Sequence, residues 1–239
     1  MNFILSLLLP VSLAGSGDAV LAQVDAALNL AKDTTSTMAA ETVVPGKKPI
    51  GMEFQLQTRG QMRRVQFSSP GDMKGTRVLV LSPRQMYVYL PAYNKIRRVA
   101  SHASNQGFMG TMFSDADMST THFGSSYGAE LTGETDASWT LRLTPKEGQK
   151  TPYGAIEIDA AKDNNLPTQL RYFDSKGKHV KTEVRSDYFC KDAVCQPGLL
   201  KMVDHTRNDA YTTLKQDMTG LNDGLPEDLF TQRALQQGW

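Results

Sequence analysis

The stretch GMEFQLQTR, residues 51–59, sets Met52, Phe54 and Leu56 against Glu53, Gln55 and Gln57. A period of two puts the apolar side chains on one face of an extended strand and the polar ones on the other. The period continues in RRVQFSS (63–69), where Val65 and Phe67 hold the apolar positions. TRVLVLS (76–82) and QMYVYLP (85–91) are apolar on both faces, and KIRRVAS (95–101) is amphipathic. The turn signals SPGD, SPRQ and PAYNK separate these runs.

The second half reads the same way. AELTGET, SWTLRLTP, GAIEIDA, the long run from Thr168 to Phe189, GLLKMVDHTRN and DAYTTLKQDMTGL are strand-like, and DSKGK marks a hairpin with Gly177 free to take positive φ. Upstream, DAVLAQVDAALNLAKD (18–33) spaces Val20, Leu21, Val24, Leu28 and Ala31 as one face of a helix of about four turns, with Asp18 as candidate N-cap. TTSTMAAETVVPGKKP (34–49) reads as a polar linker, and LPEDLFTQRALQQ (225–237) as a short closing helix. The expected fold is therefore mainly β. About ten strands in hairpin order form an incomplete antiparallel barrel or strongly curved sheet, interrupted at residues 101–125 and covered by helices.

The chain of 239 residues carries 26 basic and 25 acidic side chains, which argues against a general nucleic-acid binder. Phe3–Ala14 is an apolar run too short to span a bilayer, and it has the length of a signal-peptide core. Residues 1–19 are therefore read as a signal segment, with cleavage expected between 14 and 22, and residues 20–239 as one domain. Ser16 stands where a lipoprotein signal would place an acylated Cys, so the mature protein is expected to carry no lipid of its own. Cys190 and Cys195 are spaced to close a hairpin loop, and in an exported chain they are expected to form a disulfide.

Gly124–Gly128 spells G-x-S-x-G, with Asp204 and His205 downstream, but an elbow serine needs a helix after it and a strand-like run follows here. Ser126 is thus a weak candidate nucleophile, for a secreted lipid-ester hydrolase. His102, His122, His179 and His205 match no metal motif, even with Asp115 and Asp117 nearby; no metal or cofactor is expected. The basic clusters QMRR and NKIRR read as solvated strand faces or as contacts for anionic head groups or an acidic partner, with Arg97 and Arg98 singled out.

Apolar strands with one face uncovered suit a hydrophobic cavity. Its candidate lining is Met52, Phe54, Leu56, Phe67, Tyr87, Tyr89 and Trp139. The stretch NQGFMGTMFSDADM (105–118) concentrates Phe108, Met109, Met112, Phe113 and Met118 among glycines. Such adaptable hydrophobes on a glycine-loosened backbone suit a lid that repacks around an apolar ligand. A long loop plugging a core is the plainer alternative.

FSSPGDMKGTRVLVL, MYVYLPAYNKIRRV, FMGTMFSDADM and the C-terminal DLFTQRAL resemble the outer-membrane lipoprotein-sorting proteins of the LolA-like superfamily, in order, from about Ile50 onward. The resemblance implies an open barrel closed by helices and a cavity for the acyl chains of lipoproteins or other lipids. It implies a periplasmic carrier without catalysis, served by an inner-membrane transporter as donor and an outer-membrane acceptor. A non-carrier envelope interaction protein, its barrel filled by its own side chains, is the third reading.

Overall fold

In the computed structural model the described residues are 14–82, 85–99, 107–114, 116–117, 120 and 122–238. The expected leader up to residue 13, Met118, His102 and Asp115 lie outside them. Thirteen strands form one antiparallel sheet: β1 (Asp33–Val43), β2 (Ile50–Arg59), β3 (Met62–Ser69), β4 (Arg77–Ser82), β5 (Gln85–Leu90), β6 (Lys95–Arg98), β7 (Tyr127–Glu134), β8 (Ser138–Pro145), β9 (Ala155–Ala161), β10 (Pro167–Phe173), β11 (His179–Lys191), β12 (Val194–Asp204) and β13 (Ala210–Leu221). Their spatial order runs β6-β5-β4-β3-β2-β1-β13-β12-β11-β10-β9-β8-β7. The first and last strands therefore pair in the middle, and the sheet does not close, because β6 and β7 remain edges. The chain between those edges, residues 99–126, is the interruption expected from the sequence.

β1 corrects the linker reading. Its inward positions are Thr34, Ser36, Met38, Ala40 and Thr42, all buried, while Thr37, Ala39 and Glu41 are exposed. The alternation is intact, but small hydroxyl and methyl side chains carry it rather than large hydrophobes. They pair with each other across the sheet: Thr42 Oγ1 lies 2.8 Å from Thr212 Oγ1, and Thr34 Oγ1 lies 2.7 Å from Thr58 Oγ1. The Asp33 carboxylate accepts from the amides of Asp223 and Gly224, pinning the end of β13 beside the start of β1.

α1 (Ala14–Leu28) lays Val20, Leu21 and Val24 into the main core. It starts one turn earlier than its periodicity suggests. Asp18 is accordingly not the N-cap; its Oδ1 accepts from the amide of Ala129 on edge strand β7, 2.7 Å away. The approach is close because residue 17 is glycine: a Cβ there would sit 2.4 Å from the Ala129 carbonyl oxygen.

The outer face of β3–β6 is covered by the C-terminal segment, a 3-10 turn (Glu227–Phe230) followed by α2 (Gln232–Gln237). Phe230 and Leu235 pack there on Leu79 and Tyr89, with Tyr87 and Ile96 beside them. The Arg77 guanidinium donates to the carbonyls of Leu235 and Gln236, and Arg64 donates to that of Gly238. Two cations thus hold the carbonyl end of α2, where the helix dipole favours positive charge. QMRR is therefore no solvated face: Arg64 is fully buried beneath α2, and Arg63 faces inward.

Cys190 and Cys195 are directly opposed at the tip of the β11–β12 hairpin and joined by a disulfide. The DSKGK turn joins β10 to β11, with Gly177 at φ 78°.

Gly17→Ala is expected to push α1 off the β7 edge and to cost about 1–3 kcal/mol, read by urea denaturation of protein that retains residue 17. An unchanged midpoint would show that the helix docks less tightly than its geometry indicates.

Candidate functional site

The concave face of the sheet gathers the inward side chains of most strands. Met38, Met52, Phe54, Val65, Phe67, Val78, Val80 and Met86 make one apolar wall, and Leu141, Leu143, Ile156, Ile158 and Leu170 another. Phe54 and Phe67 are cross-strand partners with ring centroids 5.2 Å apart. Leu56 and Trp139 stand on the same face, partly buried against this core. Tyr87 and Tyr89 do not belong to it. Both parities of β5 are apolar, and pairing of Val78 with Val88 and Val80 with Met86 turns Met86 and Val88 inward. The tyrosines point outward to the C-terminal segment, with Arg77 4.4 Å from the Tyr89 ring centroid.

Residues 107–114 enter this concavity as a compact turn. Gly107 and Ser114 form an isolated bridge, and the Phe108 amide donates to the Phe113 carbonyl. Thr111 Oγ1 closes the turn on the Phe108 carbonyl at 2.7 Å, and the Met112 amide donates to Thr212 Oγ1 of β13. Phe108, Met112 and Phe113 are buried, and Met109 packs at the margin. The glycines serve a tighter purpose than general looseness. A Cβ at Gly107 would fall 1.7 Å from the Thr111 carbonyl oxygen, and Gly110 sits at φ 87°. Met109 itself adopts φ 52°, a left-handed conformation that costs a non-glycine residue roughly 1–2 kcal/mol.

One end of the concavity is polar. Asp117 accepts from the Ser114 amide at 2.7 Å, from the Tyr153 hydroxyl at 2.7 Å and from Lys181 Nζ at 2.9 Å. Its side chain is 2% exposed and that of Lys181 10%. Two residues along β11, Glu183 accepts from the Tyr172 hydroxyl and from Arg185 Nε, at 2.6 and 2.7 Å. Burial, with the Asp117 carboxylate next, raises the Tyr153 phenol; burial, then Glu183 and Asp117, raises the Tyr172 phenol. Both hydroxyls therefore stay protonated as donors. β11 inverts the usual pattern: Lys181, Glu183 and Arg185 face in, and Val184 faces solvent. Between this cluster, the 107–114 turn, α1 and β1 lies a cavity of about 230 Å³, bordered by Leu28, Ser36, Met38, Leu56, Arg63, Phe113, Arg185, Leu200 and Leu214. A larger hollow of about 630 Å³ is lined chiefly by outward positions of β1, β2, β3 and β13, such as Thr37, Gln55, Ser68 and Lys215.

The structure thus brings Met52, Phe54, Leu56, Phe67 and Trp139 together with Phe108, Met109, Met112 and Phe113. It leaves Arg97 and Arg98 apart on exposed edge strand β6, with Arg97 5.9 Å from the Tyr93 ring centroid. The sequence reading missed Arg63, Asp117, Lys181, Glu183 and Arg185 as interior groups. Arg63 shares the parity of Val65 and Phe67, so the alternation did carry that signal. Ser126 follows a 3-10 turn (Phe123–Ser125) and leads into β7, not into a helix. Asp204 caps the Thr206 amide, and His205 contacts Asp209 and Thr182, so neither is arranged as the partner of a nucleophile. Among the described residues no group of three His, Cys, Asp or Glu is placed to hold a metal ion.

A family model described as an uncharacterized protein matches residues 60–237. A DUF1329 family protein from Desulfovibrio piger superposes with a TM-score of 0.86 at 23% identity, covering 94% of this chain and 100% of that one. A protein domain named for outer membrane lipoprotein sorting, from Vibrio parahaemolyticus, gives 0.83 at 21% identity, covering 93% and 99%. A LolA superfamily protein from Nitrosomonas europaea gives 0.75 at 18% identity, covering 91% and 98%. At these identities the likeness concerns the fold: an open curved sheet of the LolA type. No curated protein matches the sequence.

Asp117→Asn would leave Lys181 buried without a counter-charge, a loss of about 3–5 kcal/mol. The double variant Asp117→Asn with Lys181→Met is expected to recover much of it in urea denaturation. Additive losses would show that the two groups are not coupled.

Proposed function

Since the chain belongs to the family of uncharacterized proteins whose model spans residues 60–237, and folds as the LolA superfamily does, we propose that it is an exported carrier of acyl chains. It takes the chains of lipoproteins or other lipids into the concave face of the sheet, moves them across the periplasm without catalysis, and passes them from an inner-membrane donor to an outer-membrane acceptor. The observation that carries this reading is what fills the concavity. Phe108, Met112 and Phe113 arrive on a separate turn between the two sheet edges, not on the strands themselves. Phe and Met contacts are interchangeable with those of an alkyl chain.

The magnitudes are compatible with exchange. Each buried methylene contributes about 0.8 kcal/mol, so a long chain offsets the lost contacts of three side chains. The left-handed Met109 lowers the stability of the inserted state a little further. The cavity of about 230 Å³ is smaller than the roughly 300–1,000 Å³ usual for ligand sites. A full-length chain would therefore have to displace the turn. No helix among the described residues is long and apolar enough to cross a membrane.

The close packing of the same turn favours a second reading: a barrel filled by its own side chains, serving as an envelope interaction module. A fluorescent fatty acid separates the two. Saturable binding to wild type, lost in Phe54→Asp, is expected for a carrier, and absence of binding to wild type favours the plug. Hydrogen exchange gives an independent readout. Amides 108–113 are expected to exchange faster than those of β1 and β13 and to change on ligand addition. Protection equal to the central strands, with or without ligand, would remove the exchangeable turn.

A further inference from the structure

Arg63 projects from β3 on the face that also carries Val65 and Phe67, and it borders the inner cavity. The acids that border the same cavity are Asp117 and Glu183. Both are committed, Asp117 to Lys181 at 2.9 Å and Glu183 to Arg185 at 2.7 Å. Of the two cations that border the cavity, Arg185 is thus taken by Glu183, while Asp117 is taken by Lys181 behind it. Among the described residues no carboxylate lies within ion-pair distance of Arg63. Burial, and then the like charge of Arg185, pushes its guanidinium down to about 10. A cation held in such surroundings is costly unless something anionic joins it. In the lining of the same cavity, the buried Ser36 hydroxyl on β1 has no hydrogen-bond partner among the described residues. The rest of the lining is mixed, with Thr34, Thr58, Gln196 and Gln216 beside the apolar Met38, Leu56, Phe113 and Leu214. The cavity therefore combines a guanidinium that has no carboxylate partner among the described residues with apolar side chains able to contact an alkyl chain.

We propose that this cavity selects an amphiphile with an anionic head group, a carboxylate or a phosphate, which pairs with Arg63 and accepts from Ser36 while its chain lies along Met38, Leu56, Phe113 and Leu214. This rests on the acyl-chain reading above and narrows it: the preferred cargo is a charged lipid or fatty acid, not a neutral acyl ester. A guanidinium presents two parallel N–H donors, which suits either oxyanion.

The test uses full-length exported protein, wild type, Arg63→Met and Arg63→Lys, at a pH where the probes are ionised. The probes are a fluorescent fatty acid, its methyl ester, a lysophosphatidic acid and inorganic phosphate. Wild type is expected to bind the free acid at least about tenfold more tightly than the ester. Arg63→Met should bring the two within about twofold by weakening the acid alone, and Arg63→Lys should retain most of the preference. The relative strength of the fatty acid and the lysophosphatidic acid identifies which head group is favoured. Equal binding of acid and ester by wild type overturns the proposal, as does a preference that survives in Arg63→Met. Inorganic phosphate that raises the Tm of wild type but not of Arg63→Met would mean a free-anion site and would also overturn it. If neither acid nor ester binds, the acyl-chain reading itself falls and takes this one with it. Arg63→Met is expected to melt at the wild-type temperature or above, because it removes a half-buried charge that has no carboxylate partner among the described residues. A lower Tm or failure to fold would make Arg63 a structural residue and end the proposal.

Discussion

The pairing of β1 with β13 is the constraint on which the rest depends. It joins the two halves of a long meander into one sheet, through ten cross-strand partners from Thr34–Leu221 to Val43–Tyr211. The partners are up to 187 residues apart in sequence, so the pairing must offset a long loop closure before it is rewarded. The same choice decides where the sheet stays open. With the termini of the meander buried in the middle, the free edges fall on β6 and β7, on either side of the one long connection. That connection can then enter the concavity. A sheet that instead paired β6 with β7 would close over it.

A second constraint follows from the interior. The concavity is divided between an apolar wall, where Phe54, Phe67, Phe108 and Met112 meet, and a polar end held by Asp117–Lys181 and Glu183–Arg185. Buried ion pairs seldom add much stability against an apolar replacement, and breaking one is expensive. Their effect here is on position. Asp117 ties the chain after the 107–114 turn to β11 through Lys181 and to Tyr153, while the turn itself is held by backbone bonds, by Thr111 Oγ1, by the Met112 amide on Thr212 of β13 and by apolar contacts. One end of the segment is thus held by an ion pair, and the other by hydrogen bonds and apolar packing.

How much of this was legible follows from side-chain size and parity. Met52, Phe54, Leu56 and Phe67 alternate with polar residues, so their common face could be read directly, and hairpin order with short turns gave the antiparallel sheet. β1 was hidden because Thr34, Ser36, Ala40 and Thr42 are too small and polar to register as a hydrophobic face, although they are buried. Tyr87 and Tyr89 were misplaced because both parities of β5 are apolar; only its register with β4 and the arrival of Phe230 and Leu235 decide which side faces the cavity. β11 defeats alternation outright. Its inward Lys181 is satisfied by Asp117, 64 residues away, and Glu183 and Arg185 satisfy each other along the strand, which no hydrophobic pattern announces.

The two open edges are blocked by different means. On β7 the docked helix occupies the Ala129 amide through Asp18, and Gly17 lets the helix backbone approach. On β6, three of four residues are the cations Lys95, Arg97 and Arg98. A second molecule aligning its own β6 there would set like charges opposite one another, which natural sheets use against edge-to-edge aggregation. The two blocks respond differently to ionic strength. Screening shrinks to about 3 Å at 1 M salt, which weakens the repulsion at β6 and leaves the helix contact at β7 in place. Concentrated salt therefore lowers the barrier to edge pairing more at β6 than at β7, and leaves the two edges of the same sheet unequally protected.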